Sequence, residues 1–255
     1  MGFWDRLSPP RFRWTTTPAF PFGATYVITL EDSRERWQHM TRVIERTALR
    51  HVVRWSGVDG RRLDDEFVQT LQAVGVLATD FSRFTAGAVK GEIGCALSHF
   101  GVLTDIVRRG LSHALILEDD VVPSGSDADW YERFLRAYGD LPRAWEVWFL
   151  YRCHDRQDKI RRRTSRTVIP YHPYGAAAYA VSRRGAEKLL RAARPIDRPI
   201  DCIVAEELVS TRRIKAYAAS PLLFRSGNHP SIIHAENPAR PWTIDGVVQP
   251  PEVGW

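Results

Sequence analysis

Cysteine is scarce and scattered in this chain of 255 residues. Cys95, Cys153 and Cys202 are odd in number, far apart and without a CxxC pair, which argues against a disulfide framework or a zinc knuckle and favours a reducing compartment. No run approaches the roughly 18–20 continuous apolar residues of a membrane span. The opening "MGFWDRLSPPRFRWTTTPAFPFG" has no apolar centre of the signal-peptide kind. A cytoplasmic location is therefore expected. Internal repeats, low-complexity tracts and linkers are absent too, and no nucleic-acid motif or aromatic-basic stacking strip is present, so no specific nucleic-acid partner is expected.

Apolar residues make up 44% of the chain, enough for one substantial core. Lys and Arg outnumber Asp and Glu by 36 to 30, a formal charge of +6 that favours phosphates, nucleic acid or an anionic membrane face. The expected organisation is an irregular basic and aromatic arm at 1–23, one α/β domain at 24–228 and a loop-rich tail at 229–255. The arm's composition suits contact with an anionic interface.

"ATYVITL" reads as a buried first strand. "EDSRERWQHMTRVIERTAL" continues as a helix with Ser33 as N-cap, and "HVVRW" follows as a second strand. This βαβ unit implies parallel strands whose ligands gather at their C-terminal ends, near the turn Asp59-Gly60. Residues 64–80 read as helical, and a long helix begins near Lys90 or Gly91. "HALILEDD" reads as another strand, followed by a helix around "DADWYERFLRAYG" and the buried strand "WEVWFLY". "RCHDRQDKIRRRTSR", rich in Lys and Arg, reads as an exposed, mobile loop. "GAAAYAVS", "RRGAEKLLRAAR" and "IKAYAASPLLF" supply a strand, a helix and a late strand. Strands alternating with helices predict a mostly parallel central sheet with helices on both faces.

Three acids, Glu118, Asp119 and Asp120, close the strand "ALILEDD". Glu118 and Asp120, two apart, share a side, and without a counter-charge each raises the other's pKa. Such a pair is either a solvated strand end or a site for a hard divalent cation, Mn²⁺ or Mg²⁺. In the long helix, Gly91, Gly94, Ser98 and Gly101 make a face almost without bulk. Glycine there costs about 1 kcal/mol relative to alanine, so another element or a ligand comes close. Glu92, Ser98 and His99 add polar groups. Asp197 suits helix capping; Asp201 is the candidate general base, with Glu207 in reserve. His229, in the turn "SGNHP", is a candidate third metal ligand.

Taken together, "YVITLEDSRERW", "GVDG", "KGEIGCALSHFGV", "ALILEDDVV", "WEVWFL", "YGAAAYAVSRRGAEKLL", "PIDRPID" and "YAASPLL" resemble glycosyltransferase family 25, which includes bacterial lipopolysaccharide galactosyltransferases and collagen galactosyltransferases. The resemblance implies a GT-A type, Rossmann-like fold, a UDP-sugar donor, UDP-galactose foremost, a divalent metal held by the acidic strand end, and inversion at the anomeric carbon. β-Galactosyl transfer to a lipopolysaccharide-type or other glycan or glycolipid hydroxyl is the expected reaction, carried out peripherally on the inner face of the cytoplasmic membrane. Donor-binding residues would be Thr29, Leu30, Arg34, Asp59, Gly60, Glu92, Ser98, His99 and Asp119. Tyr174, Gly175 and Tyr179 would line the sugar or acceptor side, Glu118, Asp120 and His229 would hold the metal, and Asp201 would be the base. Thr29 stands where the family pattern leads one to expect Asn, and a hydroxyl offers fewer hydrogen bonds than an amide. The basic segment Arg152 to Arg166 would close over the donor phosphates or meet an anionic acceptor or membrane. Two other readings use the same features: a metal-dependent phosphoesterase, and a basic nucleic-acid or membrane-binding module without catalysis.

Overall fold

The computed structural model describes residues 20–227 and the backbone of two short strands at 243–244 and 247–248. His229, most of the N-terminal arm and almost all of the tail lie outside the described residues.

Six buried residues form β1 (Ala24–Thr29). They lead through α1 (Arg34–Thr47) into β2 (Val52–Ser56), which pairs parallel with β1 from Thr25 opposite Val52 to Thr29 opposite Ser56. Ser33 occupies the N-cap position of α1, but its side chain makes no capping hydrogen bond. α2 (Asp65–Ala73) is shorter than the sequence predicts, because the chain turns out of the helix at Val74 and Gly75, the latter at φ +70°. α3 (Val89–Arg108) then brings the chain back to β3 (His113–Glu118), which lies parallel to β1 on the side away from β2.

The remaining elements are β4 (Val121–Pro123), α4 (Asp127–Gly139), β5 (Val147–Phe149), β6 (Arg161–Arg162), β7 (Thr167–Ile169), β8 (Ala178–Ser182), α5 (Arg183–Ala192), the helical turn α6 (Ile200–Cys202), which runs into a π-helix Ile203–Val209, β9 (Ala216–Ala219) and β10 (Phe224–Ser226). Eight strands form one sheet in the order β2-β1-β3-β8-β5-β9-β7-β6. The chain is α/β and Rossmann-like as expected, but the sheet is mixed. β8 inserts antiparallel between β3 and β5, and β7 pairs antiparallel with both β9 and β6. β4 and β10 form a separate antiparallel pair beside the acidic strand end.

Strand alternation divides the core. Val27, Leu115 and Leu117 pack with Met40 and Ile44 of α1 and Trp130 and Phe134 of α4. Tyr26, Ala114 and Ile116 face the other way, toward Val102, Leu103 and Ile106 of α3 and Leu189 of α5. A polar link crosses this second layer, where the buried Tyr26 hydroxyl donates to Asp105 Oδ2 at 2.7 Å.

The basic segment departs from its reading as a mobile loop. The Asp155 side chain is fully buried, pairs with Arg152 at 3.2 Å, and accepts the amides of Tyr171 and His172 at 3.1 and 2.7 Å. Further along, β6 and β7 form a hairpin, and Arg166 pairs with Asp140 at 2.9 Å. Net charge predicts exposure, but one buried acid and one distant one are enough to order the chain around them.

Candidate functional site

The side alternation of β3 aims its last residue. Ala114 and Ile116 face α3, so Glu118, two further on, faces α3 as well. There it meets His99, whose Nε2 lies 3.0 Å from Glu118 Oε1. The imidazole is fully buried, and its Nδ1 lies 3.1 Å from the Tyr179 hydroxyl of β8. With Glu118 ionised, Nε2–H donates to the carboxylate and Tyr179 O–H donates to Nδ1. Burial pushes the Tyr179 pKa up, so the phenol keeps its proton.

One helical turn before His99 stands Cys95, with Sγ 3.9 Å from Glu118 Oε1. The ligand atoms of Cys95, His99 and Glu118 all lie within 4.8 Å of one another. Burial, and then the charge of Glu118, hold the Cys95 thiol well above its usual pKa.

The turn after β3 separates the other two acids. Asp119 pairs with Arg36 of α1 at 2.6 Å. Asp120 is partly buried, and desolvation first and the Glu118 charge second push its pKa up to about 7, with Arg36 pulling the other way. Its Oδ1 is buried without a hydrogen-bond partner. A buried oxygen without a donor, beside a second carboxylate, is the environment that a hard divalent cation relieves, so these residues fit Mn²⁺ or Mg²⁺.

Glu118, Asp119 and Asp120 open onto a cleft that is also lined by Thr29, Leu30, Arg36, Asp59, Gly60, Arg61, Gly91, Cys95, Ser98 and His99. Its far wall is the loop after β2. The Gly57 amide donates to Thr29 O at 2.9 Å, and the Val58 amide donates to Ser98 Oγ at 2.8 Å. Ser98 in turn donates to Gly94 O at 2.7 Å. The bare face of α3 exists for this loop and strand β2. A Cβ on Gly94 would stand 2.6 Å from Val58 O, one on Gly60 2.1 Å from Lys90 O, and one on Gly101 3.0 Å from the Trp55 ring. Asp59 accepts from Arg61 Nε and Nη2, both at 2.8 Å, which lowers its pKa.

The structure thus brings Thr29, Leu30, Asp59, Gly60, Ser98, His99, Glu118, Asp119 and Asp120 to one cleft. Other expected residues lie elsewhere. Arg34 begins α1 and is not among the cleft residues; Arg36, two positions on, is. Glu92, in the first turn of α3, is buried away from the cleft, accepts the Thr85 amide at 2.9 Å, and has its pKa raised by burial. Tyr179 stands behind His99 rather than in the cleft. Tyr174 is buried, with its hydroxyl 3.4 Å from Glu206 Oε1.

Asp201 holds backbone. Its Oδ2 accepts the Gly175 amide at 3.0 Å, its Oδ1 accepts the Cys202 amide at 2.9 Å, and it does not line the cleft. Burial raises its pKa, and the Glu118 charge adds to the rise. Glu207 pairs with Arg198 at 2.7 Å.

Sequence reasoning missed Arg36, Arg61 and Cys95. For Cys95 the usable signal was its i,i+4 spacing to His99 on one helix.

Residues 22–204 match the family model described as Glycosyltransferase family 25 (LPS biosynthesis protein). Similar proteins include procollagen galactosyltransferase 1 of Danio rerio, 27% identical over 81% of this chain and 37% of that protein. Procollagen galactosyltransferase 2 of Mus musculus is 26% identical over 85% of this chain and 37% of its own length. A probable inactive glycosyltransferase 25 family member 3 of Bos taurus is 29% identical over 71% of this chain and 31% of its own length. The chain thus matches about a third of the length of these relatives.

Proposed function

Because the chain belongs to glycosyltransferase family 25, we propose that it is an active, inverting glycosyltransferase that moves galactose from UDP-galactose to a hydroxyl of a lipopolysaccharide-type or other surface glycan. The observation that carries this reading is the buried, unpartnered Oδ1 of Asp120 beside Glu118 in a cleft that the end of β1, the loop after β2 and α3 also line. Glu118 and Asp120 would hold Mn²⁺ or Mg²⁺, which when bound supplies positive charge to a departing diphosphate.

The chain's own residues do the rest of the work in this reading. His99 fixes the Glu118 carboxylate from below, and Tyr179 fixes His99. Arg36 holds Asp119 and offsets part of the acids' mutual repulsion. Arg61, at the cleft rim, adds positive charge on the side where phosphates would enter. We keep Asp201 as the proposed base. Burial and the nearby Glu118 charge raise its pKa, which makes it a stronger proton acceptor than an ordinary carboxylate.

Among the described residues no helix is long and apolar enough to cross a membrane. A glycolipid acceptor would therefore be met at a surface. Arg161 and Arg162, exposed on β6, are the proposed contacts with its anionic groups. A thermal-shift screen of UDP-sugars with and without Mn²⁺ tests the reading. UDP-galactose with Mn²⁺ has to raise the melting temperature, and a screen in which no nucleotide sugar does so contradicts it.

A further inference from the structure

The geometry points to a second metal specificity in the cleft: a zinc-type site made by Cys95, His99 and Glu118. Thiolate, imidazole and carboxylate are the ligand types that select Zn²⁺ over Mn²⁺ or Mg²⁺, and three protein ligands leave a fourth position for water or substrate. Spacing agrees with this assignment. His99 Nε2 and Cys95 Sγ lie 3.0 and 3.9 Å from Glu118 Oε1. A tetrahedral site with bonds of about 2.0–2.3 Å has edges of roughly 3.3–3.7 Å. The third edge, Cys95 Sγ to His99 Nε2, is within 4.8 Å, so side-chain rotations that draw the three groups together close the site.

The surroundings are those of a built site. His99 is anchored from behind by Tyr179, the kind of outer partner that orients a ligating imidazole. Cys95 lines the cleft and is partly exposed, so an ion has a path in. On binding, the Cys95 thiol releases its proton to solvent. The imidazole's one proton moves from Nε2 to Nδ1, where it donates to the Tyr179 oxygen as the hydroxyl turns its own hydrogen away, and the Nε2 lone pair is freed for the metal. No other covalent change is needed.

Glu118 belongs to both sites. Zn²⁺ on Cys95 and His99 withdraws Glu118 from a hard cation on Asp120, which makes zinc an inhibitor of metal-supported transfer. That consequence rests on the proposed transferase activity; the site itself does not.

The test is a Co²⁺ titration of the metal-free full chain, followed by absorption. Wild type should give a thiolate-to-Co²⁺ charge-transfer band that Zn²⁺ abolishes, Cys95→Ser should lack it, Cys202→Ser should keep it, and His99→Gln should weaken Co²⁺ binding by at least about tenfold. Wild-type protein alone gives a second readout: Zn²⁺ should slow alkylation at Cys95 by at least about tenfold, read by peptide mapping. No band in wild type, a band surviving in Cys95→Ser, or equal labelling with and without Zn²⁺ overturns the site. Failure of Mn²⁺-supported transfer with the band intact would count against the proposed activity and leave the zinc site standing.

Discussion

His99 Nε2 lies 3.0 Å from Glu118 Oε1 while its Nδ1 lies 3.1 Å from the Tyr179 hydroxyl, so one buried ring ties β8 to the end of β3. The orientation of Glu118 is thus set from the core. Tyr179→Phe removes the outer partner and leaves an imidazole nitrogen buried and unpaired. A stability loss of about 1–3 kcal/mol is expected in urea denaturation, together with a Mn²⁺ affinity lowered by about 10–100-fold in direct titration. A fully stable variant with unchanged Mn²⁺ affinity would show that the ring is mere packing.

Asp120 should make metal-free stability fall with rising pH. Its folded-state pKa is raised to about 7, against about 3.9 unfolded. Between these values the folded state holds the extra proton, so stability declines as pH climbs from about 4 to about 7 and is level above. Asp120→Asn should abolish that slope. In EDTA at pH 8 it should melt higher than wild type, by about 2–4 °C for each kcal/mol of repulsion relieved, while losing the stabilisation that Mn²⁺ confers. Denaturation at pH 5 and pH 8 separates these outcomes.

Gly60 and Gly94 set how closely the cleft wall meets α3. A Cβ would fall 2.1 Å from Lys90 O at Gly60 and 2.6 Å from Val58 O at Gly94. Either Gly→Ala change should cost about 1–3 kcal/mol by overpacking and weaken UDP binding by displacing the loop. Gly139→Ala, where nothing lies within 4 Å, is the control and should be neutral or stabilising. Comparable losses at all three positions would refute the close-packing explanation.

Asp201→Asn separates chemistry from architecture. As the base, Asp201 contributes about 10²–10⁴-fold to kcat, and the variant should lose that factor together with the acidic limb of the pH profile while still binding UDP. A loss of UDP binding and of thermal stability, with the pH profile unchanged, would leave Asp201 only its hold on Gly175 and Cys202.

Much of the cleft was legible because it follows from local pattern. The apolar run Ala114 to Leu117 ending in Glu118, Asp119 and Asp120 announces a buried strand that delivers carboxylates, and two-residue alternation puts Glu118 over α3. The small residues of α3 announced a close neighbour, but not whether it was a ligand; Val58 and Gly60 turn out to fill that place. Long-range pairing was beyond such reasoning. The antiparallel insertion of β8 is a choice of partner among distant strands, and the order of the basic segment depends on Asp140 and the buried Asp155. Arg34 and Arg36 differ only in helix phase at the first turn of α1, which composition does not resolve. Cys95 carried a local signal in its i,i+4 spacing to His99, but its meeting with Glu118 depends on how β3 packs against α3.

Release and transfer of galactose from UDP-galactose is the measurement closest to the central claim, performed on wild type and Asp120→Asn with Mn²⁺ and with EDTA. Wild type should turn over only with Mn²⁺, and Asp120→Asn should fall by about 10²–10³-fold, the scale of a lost charge-stabilising group. Undiminished turnover in EDTA, or an Asp120→Asn variant as active as wild type, would contradict a metal-bearing donor site at Glu118 and Asp120.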